Sequence, residues 1–457
     1  MESIKKLAIT LLTVALTLAS GSASATNGYF THGTGTKNKG MAGAGLAMPE
    51  DAISMANNPA AAVLTTGRLD AGAALFTPWR SYKTSASQLN GNFGSFTIGP
   101  NDIDSARNYF IIPHVAYAWK LSDTSAIGVA FYGRGGMNSE WDGGSATLDP
   151  DGPGPAPITT FTGTFGGGTA GVDFSQAFLD LTYAGKAGDD FAWGVTLVTV
   201  VQTFKAKGVA QFAPFTESFV ASGFTQPPTN LTSNGHDYSV GIGGKIGIQT
   251  NLSPSTSFAA MYQTKISMGE FDDYADLFAD QGGFDIPANA KVGLTFRPTD
   301  TTAVSFDVEH TWFNDVGAVG NAFSNLFNCP SLGGTDLSSC LGGDNGAGFG
   351  WDDMTTYKIG YEWGRGSDMV YRLGVSHGDQ PIASSEVMFN ILAPAVIEDH
   401  IAFGFTKKMR KGNELSVSIM HAFNNKVSGP NPFDPTQTIE IKMFQWEVEV
   451  GYSWGAD

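Results

Sequence analysis

The chain has 457 residues, of which 42% are hydrophobic and only 15% charged, with 58 glycines, 12% aromatics and a formal net charge of −17. That composition is too apolar and too weakly charged for disorder, and its acidity argues against a nucleic-acid partner. Past Ala19 no apolar run reaches the length of a membrane-crossing helix, which excludes a helical bundle and leaves a secreted β protein or an outer-membrane barrel.

The chain opens on Lys5 and Lys6, an apolar run from Leu7 to Ala19 and the small-residue exit Ala23-Ser24-Ala25, the pattern of a secretory signal peptide over residues 1–25. Residues 26–67 are rich in Gly and Ala, with a short helix expected from Pro49 to Ala56. From 68 to 457 apolar residues alternate with small or polar ones, the period of a two-faced strand. Fourteen strands are predicted, at 68–78, 107–120, 124–134, 173–186, 190–204, 236–251, 255–267, 288–298, 301–313, 352–363, 369–377, 398–408, 413–424 and 442–454. Short turns at Ser122-Asp123, Gly188-Asp189, Ser253-Pro254, Thr299-Asp300, Arg365-Gly366-Ser367 and Arg410-Lys411-Gly412 alternate with long loops at 79–106, 135–172, 205–235, 268–287, 314–351, 378–397 and 425–441. An even strand count with short periplasmic turns and long external loops is the outer-membrane pattern, whereas a soluble sandwich has no reason to gather its long loops at one end. The last strand shows the two faces: Trp446, Val448, Val450, Tyr452 and Trp454 alternate with Gln445, Glu447, Glu449, Gly451 and Ser453.

Fourteen strands roughly 4.8 Å apart and tilted by about 40° make a cylinder about 14 Å in radius, which side chains alone cannot fill. The expected fold is therefore all-β: a 14-stranded antiparallel transmembrane β-barrel with residues 26–67 as an N-terminal plug, or hatch, inside the lumen. Cys329 and Cys340, the two cysteines of the chain, sit in a Gly/Ser/Asn-rich stretch and read as one loop-closing disulfide rather than a metal pair.

The plug GMAGAGLAMPEDAISMANNPAAAV resembles that of the FadL/TodX-type outer-membrane transporters of long-chain fatty acids and aromatic hydrocarbons, with the family's Asn-Pro-Ala at Asn58, Pro59 and Ala60. The likeness continues through FYGRGGMNSEW (131–141), DIPANAKVGLTFRP, HTWF, GWDDMTTYKIGYEW, YRLGVSHGDQPI and FNILAPAVIEDHIAFGFT. It implies a closed barrel blocked by its hatch, with ligand caught between external loops and released sideways at a kink in the third strand. Gly133, Gly135 and Gly136 suit that wall gap. Two departures stand out: Tyr262-Gln263-Thr264 replaces the family's frequent Tyr-Arg-Ser, and Gly455-Ala456-Asp457 follows Trp454 where the family ends on an aromatic residue.

Alternation points Lys265, Lys291, Arg297, Lys358 and Arg372 inward, with Asp307, Glu309, Glu362, Glu447 and Glu449. Each cation has two readings, an ion pair between wall and hatch or a contact with a ligand carboxylate. Arg372 leads for the second, since Arg grips a carboxylate bidentately. In loop 268–287, Phe271, Tyr274 and Phe278 would share one helical stripe beside Phe284, either packing on the protein itself or forming an apolar groove with Phe215 and Phe219. His32, His114, His236, His310, His377, His400 and His421 show no metal or triad spacing, so neither catalysis, metal nor cofactor is expected. Aspartates in the segment 149–155 read as turn residues before a divalent-ion site. The expected function is passive uptake of hydrophobic small molecules, long-chain fatty acid first and aromatic hydrocarbon second, by a monomer in contact with outer-membrane lipid and lipopolysaccharide. The rival class is a structural or adhesive barrel.

Overall fold

The computed structural model describes residues 27–149 and 156–455. The signal peptide expected over 1–25 lies outside the described residues, as does most of the Asp-rich segment after Asp149. Fourteen long strands run in chain order as β1 Leu69–Thr84, β2 Phe110–Ser122, β3 Ser125–Asn138, β4 Gly171–Ala187, β5 Phe191–Lys207, β6 Asp237–Ser253 and β7 Thr256–Gln263. They continue as β8 Asn289–Thr299, β9 Thr302–Thr311, β10 Met354–Trp363, β11 Met369–His377, β12 Asp399–Lys408, β13 Glu414–Asn431 and β14 Asp434–Trp454. Each pairs antiparallel with its neighbour in sequence, and β14 pairs with β1 from Trp454 opposite Leu69 to Ile439 opposite Thr84, which closes the barrel.

Alternation sets the two faces as expected. On β14, Trp446, Val448, Val450 and Trp454 are exposed on the outer face, whereas Gln445, Glu447, Glu449 and Ser453 are buried in the lumen. Aromatic pairs such as Tyr183 with Trp193, Trp363 with Tyr371 and Tyr452 with Trp454 gather near the short turns, and Trp79, Tyr109 and Phe444 stack toward the other rim. These are the girdles of an outer-membrane wall, and the short-turn end is its periplasmic side.

Two sequence expectations are corrected. The loop expected at 425–441 is a continuation of β13 and β14, whose ladder runs to Asn431 opposite Asp434. The stretch carries Pro430 and Pro435, yet the hairpin persists because it is held from its sides. Asn431 donates to the Phe96 carbonyl at 2.8 Å, and a separate external sheet of Thr97–Ile98, Ser145–Leu148 and Thr159–Thr162 lies nearby in the fold. The helix expected from Pro49 to Ala56 is instead two 3-10 turns, Ala52–Ala56 and Pro59–Val63. Asn58 caps the second through its side-chain oxygen, which accepts from the Ala60 N–H at 3.1 Å, and Pro59 at the first position needs no hydrogen bond there.

Residues 27–67 fold inside the lumen, and the wall's glycines explain how they fit. Gly128, Gly194, Gly247, Gly293, Gly360, Gly374, Gly404 and Gly451, on eight of the fourteen strands, all point inward at the level of the hatch. A Cβ at these sites would run into Met55, Pro59, Asn58, Leu46, Met41 or Ala44, the Met41 backbone, Gly40 and Thr36 respectively. Four of the eight pair across the ladder, Gly194 opposite Gly247 and Gly360 opposite Gly374. Omitting side chains along this ring lets the hatch backbone approach the wall backbone directly.

Gly374→Leu should therefore expel part of the hatch or destabilise the barrel by about 1 to 3 kcal/mol, the cost of overpacking. Leu373→Val, one residue away on the lipid face, should be near neutral. Denaturant midpoints of the heat-modifiable band on gels compare the two, and equal midpoints would remove the glycine ring's role.

Candidate functional site

From the periplasmic side upward, the lumen holds a charged latch, a packed hatch, a cationic cluster and an apolar chamber. At the bottom Arg372 on β11 is buried, and its guanidinium donates to Glu50 of the hatch at 2.7 Å, meets Glu362 on β10 at 2.8 Å and donates to Thr406 on β12 at 2.7 Å. Arg365 joins Glu362 at 2.7 Å. This bonding leaves Arg372 engaged with the hatch, which favours the structural reading of that residue over a ligand carboxylate. On the adjoining strands β13 and β14, Lys39 lies between Glu447 at 3.0 Å and Glu449 at 2.7 Å, and Lys37 meets Glu414 at 2.6 Å. Asn58 also ties the hatch to β6, donating to the Ile248 carbonyl at 3.1 Å.

Above the hatch Glu309 on β9 is ringed by Lys358 at 2.6 Å, Lys291 at 3.1 Å and Arg134 at 3.5 Å. Lys358 also donates to the His32 carbonyl at 2.8 Å. Arg134 reaches Gln263 at 2.8 Å, so a guanidinium from β3 stands where the Tyr262-Gln263-Thr264 departure withdrew one from β7. Two of the predicted inward cations lie elsewhere. Lys265 follows the end of β7, half-exposed and paired with Asp285 at 3.1 Å, in the irregular stretch between Gln263 and Ser267, where the chain rejoins β6. Arg297 sits toward the periplasmic turn and donates to Ser257 at 2.8 Å.

The external loops close over a small apolar chamber. Its lining comes from β4 (Val172), β5 (Phe204) and four loops: Val209 and Phe212; Leu277 and Phe278; Ala318, Leu341, Ala347 and Phe349; and Phe389 and Leu392. None of these side chains is charged or polar. Of the expected groove only Phe278 reaches the chamber. Phe271, Tyr274 and Phe284 are fully buried against Phe204, Phe278 and Phe174, Phe215 stacks on Phe433, and Phe219 meets Phe224. No helix carries the stripe: the loop has a 3-10 turn at Asp272–Tyr274, then Asp280 (φ 55) and Gln281 (φ 51) in the left-handed region. For non-glycine residues that conformation costs about 1 to 2 kcal/mol each. Burial, and repulsion from Asp344, Asp285 and Glu270, raise the pKa of Asp280. The Cys329–Cys340 disulfide pins the segment that carries Leu341. Phe212, Phe389 and Leu392 were missed because isolated aromatic and aliphatic residues in a loop have no period to reveal them, although the last two belong to the family-like FNILAPAV block.

The wall opens beside this interior. β2 and β3 are zipped from their turn up to His114 opposite Tyr132, where the ladder ends. β3 continues to Asn138 along β4 with a bulge at Arg134, the register passing from Gly133 opposite Ala177 to Gly135 opposite Gln176. On the edge that β2 leaves, the start of the hatch takes over: Thr31 N–H donates to the Arg134 carbonyl at 2.9 Å and Gly136 N–H to the Tyr29 carbonyl at 3.0 Å. The Arg134 guanidinium lies 4.6 Å from the centre of the Phe30 ring. Higher up, Ala106 N–H reaches the Glu140 carbonyl at 2.8 Å and bounds the gap. At Gly135 a side chain would strike Gln176.

Residues 16–153 match the model of a family described as outer membrane protein transport protein (OMPP1/FadL/TodX). No curated protein matches. Among solved structures, the Pseudomonas putida toluene transporter TodX shares the fold at a TM-score of 0.62 and 16% identity, over 93% of this chain and 99% of that one. A Pseudomonas aeruginosa FadL homologue does so at 0.59 and 14%, over 94% and 100%. The Ralstonia pickettii toluene transporter TbuX gives 0.55 and 13%, over 93% and 99%. The FadL/TodX likeness read from the plug is thereby shown, and with it an outer-membrane β-barrel.

Removing one partner of a buried ion pair strands the other, at a cost of about 3 to 5 kcal/mol. Arg372→Ala should lose that much folded-state stability in denaturant titrations, and adding Glu50→Gln should cost little further. Additive losses would show that the latch is not one unit.

Proposed function

We propose that this chain is an outer-membrane uptake channel that binds neutral hydrophobic small molecules, aromatic hydrocarbons foremost, in the chamber under its external loops. The observation that carries the reading is the chamber lining, which offers no group to compensate a carboxylate or any other charge. Burying an unpaired charge there would be costly, whereas each apolar CH₂ gains about 0.8 kcal/mol on leaving water. The sequence favours long-chain fatty acid first, whereas the uncharged lining supports placing aromatic hydrocarbon ahead of it. Fatty acid stands as the second reading on one observation: three cations, Arg134, Lys291 and Lys358, surround the single carboxylate Glu309.

Transport is passive in this reading, with no catalytic step. The hatch blocks the straight path, and the gap between β2 and β3 supports release sideways into lipid, since a hydrophobic ligand loses free energy on entering the periplasm. Gly133, Gly135 and Gly136 keep that edge free of side chains.

The purified barrel should bind N-phenyl-1-naphthylamine, with displacement by naphthalene. Phe278→Glu should weaken binding by about a hundredfold, the range set by burying an unpaired charge. Displacement by oleate at least as strong as by naphthalene, and lost in Lys291→Gln, would favour the fatty-acid reading. For release, Gly133→Trp or Gly136→Trp should slow uptake by intact cells while leaving probe binding unchanged. Normal uptake by both variants at equal surface abundance would count against the lateral path.

A further inference from the structure

We infer that Asp280 and Gln281 form a clasp that gates the chamber from outside, and that this turn, rather than the disulfide-bound loop it grips, moves when ligand enters. The inference rests on the chamber being the ligand site.

Three external loops meet at Gln281. Its backbone N–H donates to the Gly342 carbonyl at 2.8 Å, and its side-chain amide reaches the same carbonyl at 3.1 Å, Glu217 at 3.2 Å and Asp344 at 3.3 Å. Immediately inside lies the chamber, lined from the same two loops by Phe278 and Leu341. Immediately outside lies a second cavity, wider and partly polar, lined by Gln281 and Gly342 themselves with Ala275 and Pro227. One turn thus separates an outer depression from an inner apolar space.

Only one side of this junction is built to yield. Gly342 follows Cys340, whose disulfide to Cys329 is buried, and Leu341 is bonded on both sides to the loop that carries Glu217. Asp280 and Gln281 are exposed, while Ala279 and Gly282 beside them are buried. Both hold left-handed backbones without being glycine. The Gln281 side-chain bonds to Glu217 and Asp344 are exposed, where water replaces them at little cost, and the third goes to the carbonyl of buried Gly342. Releasing the turn therefore relieves backbone strain and exchanges hydrogen bonds, whereas moving its partner would also break the bonds that tie Leu341 to Phe215 and Glu217.

A gate alters the rates of entry and exit together and leaves equilibrium affinity alone. The test uses the whole barrel in lipid nanodiscs, with N-phenyl-1-naphthylamine mixed by stopped flow and only the signal displaced by naphthalene counted. Glu217→Cys with Gln281→Cys, joined by a short bismaleimide, should slow association and dissociation alike by about tenfold at unchanged affinity. Gln281→Gly should speed both. Unchanged rates in the cross-linked protein, or a change in only one of the two rates with a matching change in affinity, would overturn the clasp while leaving the chamber in place. Absence of displaceable binding in the unmodified barrel would overturn both.

Discussion

A closed wall of fourteen strands encloses more space than its own side chains can fill, and the rest of the molecule answers that constraint. The filler is a segment of small residues with little regular structure, so it has few internal contacts of its own. Its cohesion comes from the wall. Backbone-to-backbone approach over the inward glycines supplies the packing, and buried ion pairs such as Lys39 with Glu447 and Glu449 fix its position. Charges that would be costly on the lipid face are tolerated here because each has a partner within reach.

The same constraint divides the interior by polarity. Below and around the hatch, cations and carboxylates interlock, and the path toward the periplasm is polar and occupied. Above it, the lining becomes wholly apolar under the loops. A hydrophobic molecule is therefore favoured only in the upper part of the lumen, and that part adjoins the stretch where β2 and β3 stop pairing. Chamber and wall gap are linked through the hatch's first residues, since Tyr29 and Thr31 bond the bulged edge of β3 while the Tyr29 ring packs on Phe284 and Phe174.

The wall was legible because a period of two survives in every strand, and the plug because it was too long and too rich in small residues to be a loop. The bulge region was legible as three glycines in FYGRGGMN, but nothing in that stretch marks Arg134, which occupies the bulge, as the cation that reaches Gln263. Strand ends above the membrane were not legible. In β13 and β14 the lipid no longer enforces alternation, so prolines and asparagines there read as loop although the ladder persists. Inward direction was legible for Arg372, but its use was not: whether a lumenal cation meets the hatch or a ligand depends on Glu50, a residue more than three hundred positions away. The chamber was the least legible part, because its lining is drawn from several loops that share no sequence pattern.

The seam between the first and last strands lies where the hatch holds on most firmly. The Ala52 N–H bonds Asp70 on β1, Thr36 and Lys39 bond Glu449 on β14, and Lys37 joins Arg68 at Glu414 on β13. A segment that precedes β1 in the chain thus carries the groups that recognise the final two strands. In the folded protein the hatch bridges the two ends of the sheet, bonding β1 on one side and β13 and β14 on the other.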